Sequence, residues 1–323
     1  MKPTLRVNVV TANVNFPGYS YMHLVNEMLN SRGQFRRKWL GCFYLGRRRA
    51  LGNKLKEDVK KDDHIQYTNW LDRAKMISDE FKKSAPDFIL IQETNLQMLS
   101  DMGVNDKSHV YAPYVLDIGD KKLESKLERG TIVLCSDNWK KLDSFEMSHE
   151  IKKKGKTQIR KAACGVFFHD FLKARVLVVS VQLTGYNPWI TNTEEYHFGD
   201  EELINYLEQI DRFAKERGCE IAIVGGDFNQ DLKTGDSADG DEGNCGKKKR
   251  RSQILKDFGY DFDSSFASVP TVNSKRCLDY IAFKTFSVVS FEKHETEVIG
   301  NPNMSDHRFV SSLVEISNYN LEH

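Results

Sequence analysis

Five short stretches of this chain carry side chains able to bind a metal or move a proton, and each lies at the end of an apolar, strand-like run. Asn13 closes the run that starts at Arg6, and Glu93 closes the one that starts at Asp87, in Ile91-Gln92-Glu93-Thr94. Asp227 and Asn229 follow an apolar run in Gly225-Gly226-Asp227-Phe228-Asn229. Asp279 lies in Cys277-Leu278-Asp279-Tyr280-Ile281, and Asp306 and His307 in Met304-Ser305-Asp306-His307. One carboxylate at a strand end usually only caps or solvates it; five such stretches in one chain are harder to dismiss. The residue types suit metal-assisted hydrolysis. Carboxylate and amide oxygens are hard ligands for a cation such as Mg²⁺, and a carboxylate can take a proton from water. A histidine paired with an aspartate favours the imidazolium, which compensates developing negative charge.

To position these groups the chain offers mainly strands. Apolar runs predict strands over Arg6–Asn13, Asp87–Glu93, Gly130–Ser136, Ala162–His169, Arg175–Leu183, Glu220–Gly225, Leu278–Phe283, Ser287–Glu292 and Arg308–Ile316. Several are apolar nearly throughout, as expected when both faces are covered. Trp70, Ala74, Ile77 and Phe81 recur at helical spacing before Pro86, and Leu203, Leu207, Ile210 and Ala214 mark a second helix stopped by Gly218. Many strands with a few covering helices predict an α/β chain: two packed, mostly antiparallel sheets flanked by helices, four layers within one domain over residues 1–320. Leu321-Glu322-His323 resembles the start of a vector-encoded tag.

Composition narrows the classes. The 323 residues are 40% hydrophobic and 29% charged, which excludes a disordered chain. No apolar run approaches the ~20 residues of a membrane helix. Six scattered cysteines without a Cys-x-x-Cys pair argue against zinc, and together with the absence of a recognisable signal peptide they point to an intracellular protein, cytoplasmic or nuclear. The net charge of +1 is a cancellation. Residues 32–61 hold eleven Lys/Arg against two acidic residues, a local charge of +9, and the remainder carries −8. Residues 233–251 run acidic, then glycine-rich, then basic from Lys247 to Arg251, and read as a surface loop.

With these stretches in this order, the chain resembles the endonuclease/exonuclease/phosphatase superfamily, the deoxyribonuclease I-like group. The resemblance spans residues 13–307, and its most specific pieces are Gly-Asp-Phe-Asn at 226–229 and Ser-Asp-His at 305–307. It implies a metal-dependent phosphoesterase, and hydrolysis of a nucleic-acid phosphodiester as the leading activity. Glu93 would be the principal ligand for Mg²⁺ (Mn²⁺ as an alternative), with Asn13 and Asp306 assisting. Asp227 would position and deprotonate the attacking water, and Asn229 would help to fix that aspartate and the phosphate. His307 would donate to a phosphoryl oxygen, held in its tautomer by Asp279. A phosphoinositide phosphatase or sphingomyelinase-type lipid phosphoesterase is the first alternative, and a binding protein on a weakened scaffold the second.

Two departures accompany the resemblance. Gln182 stands where many members carry a phosphate-contacting His or Tyr; glutamine still donates a hydrogen bond but brings no charge. Asn187, Tyr186 and Arg160 are further candidate phosphate contacts. The first two stretches are also 80 residues apart, longer than the family leads one to expect, and the interval holds the basic segment at about 30–63. Phe35, Trp39 and Phe43 lie there at i, i+4, i+8. Three readings fit that segment: a nucleic-acid platform, a helix on anionic lipid head groups, or an insertion packing its aromatics on the core. The oligomeric state is not legible.

Overall fold

The computed structural model describes residues 4–14, 70–104, 108–113, 115–116, 130–153, 156–184, 195–230, 251–272, 277–287, 289–301, 304–305 and 307–318. The basic segment at 30–63, Asn187, Asp306 and residues 247–250 lie outside them. The strands are β1 (Thr4–Asn13), β2 (Phe88–Thr94), β3 (Ser108–Pro113), β4 (Val115–Leu116), β5 (Gly130–Cys135), β6 (Lys140–Lys153), β7 (Lys156–His169), β8 (Ala174–Gln182), β9 (Ile221–Asp227), β10 (Asp279–Thr285), β11 (Val289–Ile299) and β12 (Phe309–Asn318). The helices are α1 (Trp70–Ser84), α2 (Leu96–Asp101), α3 (Glu195–Arg217) and α4 (Arg251–Asp257), with a short 3-10 turn at Ser264–Ser268.

Two six-stranded sheets result. One has the order β11-β12-β1-β2-β5-β3; the other runs β10-β9-β8-β7, with β4 and β6 both pairing β7. Side-chain parity explains the layers. Val7 and Val9 of β1 and Phe88 and Leu90 of β2 face the second sheet, whereas Val10, Ala12, Ile89 and Ile91 point the other way, onto Ala74, Ile77 and Phe81 of α1. On the far side of the second sheet, Leu203, Leu207, Ile210 and Ala214 of α3 join the main core. Helix, sheet, sheet, helix is the expected four-layer sandwich.

Nine predicted strands and both predicted helices are present; most strand ends move by two residues or fewer, but β7 begins six residues before the predicted Ala162 and β11 runs seven past the predicted Glu292. The long strand β6 has no counterpart in the prediction. It is an outer strand whose residues 140–144 are all exposed, with Met147 and Ile151 the buried ones among the described side chains further on, so its apolar signal is too sparse to read. Arg251 is a correction: it does not belong to a surface loop but opens α4 and is buried.

The pairing is antiparallel except at two places, β1 with β2 and β8 with β9. A parallel pair ends both its strands at the same sheet edge, so Asn13 and Glu93 finish together in one sheet and Gln182 and Asp227 in the other. β10, antiparallel to β9, begins at that edge with Asp279 directly opposite Asp227, and His307 leads into β12 beside the end of β1.

Candidate active site

Local devices aim each side chain. The β2–β5 register shifts between Ile91 and Thr94, and Glu93 within that irregularity adopts a φ of 54°. Asn229 has a φ of 50°, which asparagine tolerates better than most residues. Positive φ at non-glycine residues stores strain on the order of 1 kcal/mol each and collects where geometry serves function. Gly226 has a φ of 152°, and a β-carbon there would stand 1.8 Å from the Val181 carbonyl oxygen, so glycine is required where β8 and β9 deliver Gln182 and Asp227. The Phe228 ring, fully buried, stacks on Tyr280 at 3.9 Å between centroids and anchors the residue between the two polar ones.

Beneath the site the sheets are joined by polar contacts. Gln92 Nε2 donates to Ser180 Oγ at 3.0 Å, and Ser180 Oγ donates to the Ile91 carbonyl at 3.2 Å. Thr271 Oγ1 accepts from the backbone N–H groups of Leu278 (2.9 Å) and Asp279 (3.1 Å), while its carbonyl accepts from Arg308 N. That one buried threonine therefore ties the Asp279 strand to the chain just past His307.

Seven of the residues singled out in the sequence converge. Asp227 is 2% exposed. Its Oδ2 accepts from Asn13 Nδ2 and from Asn229 Nδ2, both at 3.1 Å, and its Oδ1 accepts from Asn229 N at 2.9 Å. Asn229 Nδ2 also donates to the Leu183 carbonyl at 2.8 Å. His307 Nδ1 contacts both Asp279 oxygens, at 2.8 and 3.1 Å. Glu93, half-buried, accepts from Gln182 Nε2 at 2.7 Å and more distantly from Asn13 Nδ2 at 3.5 Å. The Gln182 amide, expected at the phosphate, is thus directed at Glu93. Arg160, half-buried on β7 three residues before the Ala163 that faces Ser180, lies toward the same edge.

Burial pushes the Asp227 carboxyl up to about 7. His307 opposes this shift, the like charge of Asp279 adds to it, the Asn229 N–H counteracts it, and Glu93 adds again. A carboxylate that holds its proton until near neutrality is a far stronger base than a free one, the property a general base requires.

Two buried arginines escaped the sequence reading. Arg73 of α1 donates from Nε to the Met304 carbonyl at 2.7 Å and from Nη2 to the Val14 carbonyl, joining the segments that follow Asn13 and precede His307. Its trace in the sequence is a cation on the same face as Trp70 and Ile77. Arg251, 3% exposed, sits behind Asp227 and Asn229; at the end of a basic run it had no distinguishing mark.

The model of the Endonuclease/Exonuclease/phosphatase family matches residues 11–307. The chain belongs to this family. Among curated proteins none matches the sequence. Similar solved structures include the human nocturnin catalytic domain with a bound sulfate anion (13% identity, TM-score 0.57, covering 98% of this chain and 95% of that one). A mannosyl-6-phosphatase from Bacteroides thetaiotaomicron is similar at 15% identity and a TM-score of 0.53, covering 95% and 99%. Truncated TDP2 from Caenorhabditis elegans follows at 11% and 0.51, covering 96% and 98%. At such identities these likenesses concern the fold. Endonuclease/Exonuclease/phosphatase proteins are in general phosphoester hydrolases and typically need a divalent metal.

The donor set fits that requirement. Asp227, Asp279 and His307 place ligand-type atoms within 4.8 Å of one another, but His307 and Asp279 already engage each other. Glu93 is the carboxylate partly open to solvent beside the buried Asp227 and the Asn13 amide. An oxygen donor on the open rim is what a hydrated hard cation such as Mg²⁺ or Mn²⁺ accepts, since it retains several of its waters. Among the described residues no helix is long and apolar enough to cross a membrane.

Proposed function

We propose that this chain is a Mg²⁺-dependent phosphodiesterase acting on nucleic acid, a nuclease. The observation that carries the reading is the Asp227 carboxylate. It is buried, fixed by Asn13 and Asn229, faces a His307–Asp279 pair, and stands beside Glu93. Asp227 orients a water molecule and takes its proton as the oxygen attacks phosphorus. Asn229 holds Asp227 in place through two hydrogen bonds. His307, whose Nδ1 is engaged by Asp279, turns its other ring nitrogen to a non-bridging phosphoryl oxygen and compensates the charge that grows there. Glu93, oriented by Gln182 and assisted by Asn13 and Asp306, would hold the cation, which when bound polarises the phosphate and stabilises the leaving oxygen. Arg160 and Asn187 are assigned to the phosphates flanking the scissile one.

The basic, aromatic-laced segment 32–61 favours nucleic acid over a small phosphate ester, since phosphates are met by Lys/Arg and bases by aromatic rings. The mannosyl-6-phosphatase among the similar folds favours a second reading, a phosphomonoesterase of sugar phosphates. The two separate in one panel: single-stranded and duplex DNA, RNA, a sugar monophosphate and an inositol phosphate, each with Mg²⁺, with Mn²⁺ and with EDTA. Metal-dependent cleavage of DNA or RNA, abolished by EDTA, is the expected result. Turnover of the monoesters alone would replace the nuclease reading with the second one, and turnover of none would overturn both.

A further inference from the structure

Asp227 is the last rung of β9 and Asn229 lies two residues beyond it, where strand pairing stops and backbone carbonyls lose their ladder partners. One side chain gathers those carbonyls. Arg251 Nη1 donates to the carbonyl of Phe228, the residue between the two, and Nη2 donates to the carbonyl of Thr184 at 3.0 Å, two residues past Gln182. Nε pairs with Asp200 Oδ1 of α3 at 2.9 Å, and the backbone N–H of Arg251 donates to Gln230 Oε1. The exits of β8 and β9 are thereby fastened to one rigid fork and, through Asp200, to the covering helix.

Only an arginine does this with one side chain. Its guanidinium is planar, offers five N–H donors in fixed directions and stays protonated when buried. The neighbourhood is shaped around it: at Gly199 a β-carbon would stand 1.8 Å from Arg251 Nη2 and 2.4 Å from the Thr184 oxygen, so this turn of α3 has room for glycine alone. With one carboxylate partner and two carbonyls, the buried charge is matched.

We propose that Arg251 is a positioning residue of the active site, acting through Phe228 and Asn229 to hold Asp227 in its working geometry. This rests on the assignment of Asp227 as the base. The consequence is specific: without a hold on the Phe228 carbonyl, the Asn229 N–H from which Asp227 Oδ1 accepts at 2.9 Å is loosened, and the carboxylate loses its fixed direction.

Arg251→Lys tests this. It keeps the buried charge, but one ammonium cannot serve three diverging acceptors. On bis(4-nitrophenyl) phosphate or a cleaved oligonucleotide, with Mg²⁺, we expect kcat to fall about 10–100-fold with KM little changed. A folded Arg251→Lys protein with kcat within about twofold of wild type overturns the proposal, because a residue that merely stabilises the fold leaves the kcat of the folded enzyme unchanged. A second readout needs no turnover: the crystal structure of folded Arg251→Lys is expected to show the Phe228 carbonyl displaced and the hydrogen bond from Asn229 N to Asp227 Oδ1 lost, and an unchanged geometry there contradicts the assignment. If wild type turns over no phosphoester the function proposed above fails, while this structure still decides the role of Arg251. Should Arg251→Lys not fold, Asp200→Asn, which keeps an acceptor for Nε but removes its charge, takes its place and must show the same displacement in smaller measure.

Discussion

The proposed mechanism rests most heavily on Asp227, whose burial raises its proton affinity and costs stability. The folded protein keeps the Asp227 proton up to about pH 7, whereas the unfolded chain releases it near the ordinary 3.8. Between those values the native state binds more protons, so its stability falls as pH rises through this window, and the contribution present below about pH 4 is gone above 7. Asp227→Asn removes the titration. It should unfold at the same temperature as wild type near pH 4 and be more stable at pH 8, by on the order of 4 kcal/mol; equal melting temperatures at pH 8 would mean that the carboxylate is not destabilised by burial. Two other residues give separable effects. His307→Ala should lower kcat about 10²–10³-fold, the usual cost of one charge-stabilising donor, measured as initial rates at saturating Mg²⁺. Glu93→Gln should raise the Mg²⁺ concentration at half-maximal activity, and an unchanged titration would remove Glu93 from the ligand set. These residues were legible in the sequence because acid–base and ligand types stand out at the ends of apolar runs. Gln182 was legible by position, but its hydrogen bond to Glu93 was not, since which neighbour an amide meets depends on how two sheets approach.

The element that delivers Asp227 is the parallel pair β8–β9, and its tightest point is Gly226. Its φ of 152° and a β-carbon site 1.8 Å from the Val181 oxygen make Gly226→Ala strained in conformation and in space. It should cost several kcal/mol and abolish turnover, as seen in urea unfolding midpoints and rates; a variant as stable and active as wild type would mean that the strands can part without harm. The neighbouring anchor is open to a milder test: Phe228→Ala removes a fully buried ring stacked on Tyr280 and should cost about 3–5 kcal/mol. Strands covered on both faces, such as β8 with eight of its nine residues buried, announced themselves as continuous apolar runs. The outer strand β6, with few buried positions, did not, and neither did the seven-residue helix α4, too short for a helical period to emerge and masked by the basic run before it.

For the whole molecule, the number that first looked uninformative, a net charge of +1, divides into an acidic body and a +9 segment. The body gathers Glu93, Asp227 and Asp279 at one edge of a sandwich, because two parallel strand pairs end there and two antiparallel strands begin there. That convergence was foreseeable from the ordered motifs but not from composition or periodicity, which say that strands exist and not which ends meet. The +9 segment lies outside the described residues, and its proposed role rests on the charge and interleaved aromatic residues of its sequence. Replacing Arg47, Arg48 and Arg49 with Gln should reduce the salt dependence of single-stranded nucleic-acid binding, by about 0.7 in the log–log slope for each phosphate no longer neutralised. An unchanged slope would assign the binding of nucleic acid to other residues. The central claim, that Asp227 is the base of a metal-dependent phosphodiesterase, is tested most directly by the rate of oligonucleotide cleavage by wild type and Asp227→Asn, both with Mg²⁺ at a pH of about 7.5, where the base is ionised. The account predicts cleavage by wild type and a loss of about 10²–10⁴-fold in a variant that remains folded; an Asp227→Asn protein that cleaves at the wild-type rate would contradict it.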